Sequence, residues 1–134
     1  LELWEELRAR GEPIHAEMRG ASMWPAAPEG SELVVTPCTS TELRSGDLVV
    51  FRLGAAVITH RVIDVDEGGQ VRAWGDALLQ PDPPIAPGDV LGRARVVRRG
   101  PMILPAPRGR ETRDAQPARA AASDEVTLTP PPEP

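Results

Sequence analysis

The stretch LVVFRLGAAVITHRVIDVD (48–66) decides the fold class of this chain, because it is dense in valine, isoleucine and leucine. Short apolar runs rich in β-branched residues favour strands over helices. Residues 48–53 therefore predict one strand. Residues 56–66 predict another, which is long enough to bend or to split in two. The centre of the chain is predicted to be β-structure.

Similar runs lie on both sides of this stretch, at 14–18, 32–36, 71–74 and 90–97. Glycine, proline and aspartate separate them, as expected of strands joined by turns. The chain has one phenylalanine, three tryptophans and no tyrosine, so its core must be mainly aliphatic. Residues 13–100 are predicted to form one all-β domain, either a sandwich or a partly open barrel.

The two ends of the chain differ from this centre. A short amphipathic helix is predicted within residues 1–12, with Leu3, Trp4 and Leu7 on one side. The tail, residues 101–134, is rich in proline and alanine and has few branched apolar residues. Such a segment cannot bury enough apolar surface to offset the entropy of ordering it. The tail is predicted to be disordered.

Composition excludes several classes of function. The net charge is −5, so no basic face for nucleic acid is expected. All 15 basic residues are arginine, and no apolar run approaches the roughly 18 residues of a membrane helix. Cys38 is the only cysteine, so neither an internal disulfide nor a cysteine metal site is expected. The expectation is a cytoplasmic protein without metal or cofactor, with peripheral binding to a membrane surface as the alternative.

Four polar residues stand out as candidates for chemistry. Ser22 lies in GASMWP (20–25), where small neighbours would let a substrate backbone approach. His60 lies in an apolar strand, whereas the other histidine, His15, is interpreted as structural. A serine needs a base to become a nucleophile, and a carboxylate can orient that base. Asp82 and Asp76 both follow in the sequence, and the spacing does not choose between them.

Five segments together resemble the signal peptidase I superfamily, which also includes the LexA-like self-cleaving peptidases. In order, they are GASMWP (20–25), SGDLVVFR (45–52), ITHRVIDV (58–65), WGDALLQPD (74–82) and VLGRARVV (90–97). The first is similar to the nucleophile box of the superfamily and the third to the box with the general base. The match covers over half of the chain.

The resemblance implies a role for each matching residue. Bacterial members pair the serine with a lysine, but the archaeal and endoplasmic-reticulum type has histidine in an H-R-V string. This chain has that string at 60–62 and no lysine, so the implied site is Ser22, His60 and Asp82. Asp76 and Met23 are secondary candidates. Gly20 is another, because it occupies the position where many members have a serine that assists the oxyanion hole.

The resulting function hypothesis is a serine endopeptidase that cleaves a leader, signal or propeptide through an acyl-enzyme. The implied partner is an extended peptide or protein with small residues next to the cleaved bond. One alternative is an inactive or weakly active β-domain that binds peptides in the same groove. The other is a LexA-like regulatory autoprotease, although the residues before Ser22 are too few for a DNA-binding domain.

Overall fold

The structure is a computed structural model that describes residues 2–103 and 126–128. One helix, α1 (Glu2–Ala9), precedes the strands. The strands are β1 (Ile14–Met18), β2 (Glu32–Pro37), β3 (Leu48–Leu53), β4 (Ala56–Val65), β5 (Val71–Trp74), β6 (Val90–Arg98) and β7 (Val126–Leu128). Short 3₁₀ turns lie at Ser40–Glu42 and Pro87–Asp89. The prediction of an all-β domain with a short N-terminal helix is confirmed.

All seven strands belong to one sheet, in the order β5-β4-β3-β6-β2-β1-β7. Every neighbouring pair is antiparallel. Among the described residues β5 and β7 do not pair with each other, so the sheet is not closed into a barrel. The sheet therefore has two edge strands, β5 and β7.

Apolar side chains cover both faces of the sheet. The first cluster, here called the α1-side core, includes Trp4 of the helix together with Met18, Leu33 and Val50. Trp4 is only 5% exposed, so α1 is held by its apolar side. Burying a side chain of this size contributes roughly 1.5–3 kcal/mol. The helix ends where Gly11 adopts a positive φ of 69°, which other residues rarely adopt.

The second cluster, here called the Phe51-side core, covers the other face of β3, β4 and β5. It includes Phe51, Ile58, Val71 and Ile85, and all four are at most 4% exposed. β4 alternates between the two cores, since Val57 belongs to the α1-side core and Ile58 to the Phe51-side core. His60 has the same parity as Ile58, so it faces the Phe51-side core.

The long run at 56–66 forms a single strand and does not split. The register of β4 against β5 shifts between Val62 and Asp64, which is a β-bulge at Ile63. A bulge bends a strand and increases its twist without ending it. Of the two predicted alternatives, a bend or a split, the split is therefore excluded.

The tail departs from its prediction at one place. Most of it, residues 104–125 and 129–134, lies outside the described residues. Val126–Leu128, however, forms β7 against β1, so the prediction of disorder is wrong for these three residues. Pairing with an existing strand supplies backbone hydrogen bonds that local composition does not reveal. In the part of the chain that the structure describes, no helix is long and apolar enough to cross a membrane.

Candidate active site

Ser22 lies in the loop between β1 and β2, in a tight turn held from several sides. Gly20 has a φ of 81°, and its N–H donates to the carboxylate of Glu29 at 2.8 Å. The N–H of Ala27 donates to the carbonyl of Met23 at 2.7 Å. These bonds fix the loop on both sides of Ser22.

The Ser22 hydroxyl is fully buried, and its Oγ has no hydrogen-bond partner among the described residues. The carbonyl of Ser22 accepts a hydrogen bond from the N–H of Ala77 at 2.8 Å. A buried hydroxyl without a partner costs free energy, so native proteins rarely keep one. Sites of chemistry are among the places where such a group is retained.

His60 is fully buried in β4, opposite Val49 of β3. Its ring meets the ring of Phe51 edge-on, with centroids 6.0 Å apart. Its Nδ1 lies 2.6 Å from Oδ2 of Asp82, whereas its Nε2 has no partner among the described residues. An ionised carboxylate can only accept, so Nδ1 donates to it and Nε2 of the neutral ring carries the free lone pair.

Asp82 lies between prolines, and this surrounding fixes its position. In the segment PDPPI (81–85), only Asp82 and Ile85 have backbone N–H groups. Both are used: Asp82 donates to the carbonyl of Ala73, and Ile85 exchanges two hydrogen bonds with Val71. The segment thus lies along the outer edge of β5. The Asp82 side chain is only 3% exposed, so its interaction with His60 is shielded from water.

The turn after β5, residues 75–78, joins Ser22 and His60. Its closing bond runs from the N–H of Leu78 to the carbonyl of Gly75. Gly75 lies directly against the His60 ring, because a Cβ added at this glycine would come 3.0 Å from Nε2. Ala77 of the same turn binds the Ser22 carbonyl. Both unpartnered groups, Ser22 Oγ and His60 Nε2, therefore belong to residues that pack on one turn.

Asp76 lies in the same turn, but it contacts Arg61 and not His60. Both of its carboxylate oxygens accept hydrogen bonds from the Arg61 guanidinium, at 2.9 and 2.8 Å. The hydrogen bonds that Arg61 donates to Asp76 raise the pKa of Arg61 above its ordinary value. Arg61 also donates to the carbonyl of Gly46. The geometry thus assigns the two aspartates to different partners, which the sequence left open.

No family model, curated protein or solved structure matches this chain. The site is therefore defined by its own contacts. Ser22, His60 and Asp82 come together around the 75–78 turn, and Asp76 supports that turn from its outer side. Met23 is buried in the α1-side core, and its sulfur accepts a weak hydrogen bond from the Asp76 N–H at 3.4 Å.

Two supporting residues were not predicted from the sequence. Arg61 was noted only as part of the H-R-V string, and its cross-strand position opposite Trp74 brings it next to Asp76. Arg99 directly follows the last residue of β6. Its guanidinium donates twice to the carbonyl of Pro25, at 3.0 and 2.5 Å, and so holds the Ser22 loop. Nothing local in the sequence indicates a contact between residues so far apart.

The remaining candidates lie elsewhere. His15 is exposed on β1, and Cys38 is buried in the Phe51-side core with its thiol free. Burial raises the pKa of the Cys38 thiol, which makes it a poor nucleophile. Within residues 4–103, no group of three histidine, cysteine or acidic side chains could hold a metal ion.

Proposed function

We propose that this protein is a serine endopeptidase in which Ser22 is the nucleophile, His60 the general base and Asp82 the residue that orients His60. One observation carries the proposal: a buried Asp82–His60 hydrogen bond of 2.6 Å leaves the other ring nitrogen as an open acceptor. An aspartate that binds one nitrogen of a histidine fixes its tautomer and stabilises the imidazolium. The unpartnered hydroxyl of Ser22, whose own carbonyl binds the 75–78 turn, is the proposed proton donor to that acceptor.

The reaction follows from these positions. Ser22 Oγ attacks the peptide carbonyl while His60 Nε2 takes its proton, and the backbone N–H of Ser22 binds the developing oxyanion. His60 then gives the proton to the leaving amine, which leaves an acyl-enzyme on Ser22. In the second half, His60 takes a proton from water as the water attacks the acyl carbonyl, and it returns the proton to Ser22 Oγ as the acid leaves. His60 acts as the base in its neutral form, because only a neutral imidazole can accept the proton.

Gly20 supports the loop and is not expected to contribute a side-chain donor. Its φ of 81° lies in the left-handed region, where a serine would be strained. The oxyanion would therefore be held by backbone groups alone. Loss of one donor typically costs about 10²–10³ in rate, so modest turnover is expected.

The substrate class remains the one implied by the resemblance: an extended peptide with small residues next to the cleaved bond. A leader, signal or propeptide is the proposed substrate. We propose action in the cytoplasm, with a membrane surface as the alternative place of work.

A second candidate is a peptide-binding domain without catalysis. Ser22 and His60 are both fully buried, and their free atoms, Oγ and Nε2, are not hydrogen-bonded to each other. Catalytic hydrogen bonds are often long or absent without substrate and form only in the complex. The burial is therefore compatible with an enzyme in its resting state, but a permanently closed site would favour the binding domain.

A fluorophosphonate probe with intact-mass detection separates the two candidates. It phosphonylates an activated serine, so the wild-type chain should gain one adduct. Ser22→Ala and His60→Ala should remove the adduct. Ser31→Ala is the matched control, because Ser31 is also fully buried but hydrogen-bonded, and it should leave labelling unchanged. Labelling that persists in Ser22→Ala would reject the proposed nucleophile.

A further inference from the structure

Both edges of the sheet are covered by segments of the chain itself. At the β5 edge, residues 82–85 bind Ala73 and Val71 through their backbone. This cover contains Asp82, so it cannot leave without dismantling the site. At the opposite edge, β7 covers β1. An extended peptide that pairs with β1 as a strand must therefore displace β7.

The position of β7 relates it directly to the candidate site. β7 runs antiparallel to β1, with Val126 opposite Met18 and Leu128 opposite Ala16. Met18 is the last residue of β1 before the Ser22 loop, so Val126 marks the end of β7 nearest to that loop. Cα atoms of β7 also come within 8 Å of Cα atoms of β4, the strand that carries His60. β7 thus lies between the strand that leads to the nucleophile and the strand that carries the base.

The backbone pattern identifies the residue that holds β7. Met18 uses its N–H and C=O on the β2 side, with the carbonyl of Ser31 at 2.9 Å and the N–H of Gly30 at 2.8 Å. Backbone groups of successive residues in a strand point to opposite edges. Glu17 therefore directs its N–H and C=O toward β7, where its register partner is Thr127. Thr127 is the residue of β7 that exchanges both backbone hydrogen bonds with β1.

We propose that Val126–Leu128 is a built-in competitor that occupies the peptide-binding edge of β1 and keeps the site closed until a peptide displaces it. This inference rests on the proposed function for its catalytic consequence, but not for the binding itself. A tethered segment acts at an effective concentration of about millimolar, so a short strand can compete although its own affinity is low. The full burial of Ser22 and His60 is the state expected of a closed site.

The direct test measures peptide binding to the full-length chain. The probe is a fluorescein-labelled peptide DEVTLT, the sequence of residues 124–129, followed by anisotropy in the Ser22→Ala background. Thr127→Pro removes the N–H that binds Glu17, because proline has no backbone donor. This variant should bind the probe at least about tenfold more tightly than the parent chain. Thr112→Pro, the same change outside β7, should bind it like the parent.

Equal binding by all three chains, or no binding by any, would overturn the proposal. Hydrogen exchange provides the check that Thr127→Pro remains folded. The Glu17 amide should exchange faster in Thr127→Pro alone, whereas the amides of β3 and β6 should keep their protection. Faster exchange throughout the sheet would instead assign β7 a general structural role and reject competition.

Kinetics distinguish failure of this inference from failure of the proposed function. With an active Ser22, Thr127→Pro should lower KM for a cleaved peptide several-fold and leave kcat unchanged, as removal of a competitor does. An unchanged KM would reject the competitor and leave the peptidase intact. If Thr127→Pro binds the probe but no chain hydrolyses any peptide, the peptidase assignment fails and occupancy of the edge by β7 stands.

Discussion

Ser22 and Ser31 are both fully buried, but only Ser31 has a partner for its hydroxyl, the N–H of Gly100 at 2.9 Å. Ser22→Ala removes a buried polar atom that binds nothing, so it should raise the free energy of unfolding by about 1 kcal/mol or more. Ser31→Ala leaves the Gly100 N–H without an acceptor, so it should lower the free energy of unfolding by about 1–3 kcal/mol. Urea denaturation at one pH measures both.

If Ser22→Ala raises the free energy of unfolding and Ser31→Ala lowers it, the Ser22 hydroxyl destabilises the folded protein. If Ser22→Ala destabilises the protein as much as Ser31→Ala does, the Ser22 hydroxyl has a structural partner, and its retention says nothing about catalysis.

The two aspartates should also separate by their effects. Asp82→Asn removes the carboxylate charge that fixes the tautomer of His60, and the equivalent change in a triad typically lowers kcat by about 10⁴. Ser22→Ala and His60→Ala should cost more, near 10⁶, and the double variant little beyond that. Asp76→Asn weakens a partly exposed ion pair with Arg61, which is worth at most about 1 kcal/mol of stability.

Steady-state rates on a cleaved peptide test this order. If Asp76→Asn lowers kcat as much as Asp82→Asn does, the assignment of Asp82 as the residue that orients His60 is wrong. The sequence could predict that an aspartate follows His60, but not which one binds it. That choice depends on Arg61 of β4, which lies opposite Trp74 of β5 and binds Asp76.

At the scale of elements, the 75–78 turn is the segment that contacts both Ser22 and His60. A Cβ at Gly75 would come 3.0 Å from His60 Nε2 and Cδ2 and 2.9 Å from Leu78. Gly75→Ala should therefore displace the imidazole and lower kcat by at least about tenfold, since small misplacements of catalytic groups are costly. Gly88→Ala is the control, because no atom lies within 4 Å of its added Cβ.

The same peptide assay measures both glycine variants, with circular dichroism to confirm the fold. Equal rates for Gly75→Ala and the wild-type chain would mean that the contact with the ring is not needed. A loss of rate in Gly88→Ala would show that any disturbance near β6 affects the site.

The predictability of each element follows from where its stability comes from. β1, β3 and β5 coincide with the apolar runs at 14–18, 48–53 and 71–74, because each has alternating or continuous burial that the sequence displays. β7 was missed, since three residues in a proline-rich tail carry no periodicity. Its pairing depends on the free edge of β1, a property of the assembled sheet.

At the scale of the whole molecule, the thiol of Cys38 lies in the Phe51-side core, where this residue is 8% exposed. Burial raises the pKa of this thiol above its ordinary value of 9.0. The native chain should therefore react with an aromatic disulfide reagent far more slowly than the chain in urea. Rapid native labelling would mean that this core opens readily.

The burial of Cys38 also predicts the direction in which the stability of the protein changes at alkaline pH. Above about pH 9 the unfolded chain loses the thiol proton while the folded chain retains it, so the folded state binds more protons. Stability should fall as pH rises through this range, and the slope should be smaller in Cys38→Val. An identical slope in both chains would assign the alkaline loss to other groups.

The cover that β7 places on β1 has a practical consequence for handling the protein. An unpaired strand edge is a template onto which another copy can add its own edge strand. Trimming the proline-rich tail, a common step before crystallisation, would remove Val126–Leu128 and leave Glu17 with free backbone groups. Such a shortened sample would be prone to self-association through two β1 edges, and a crystal grown from it could display a dimer that the intact chain does not form.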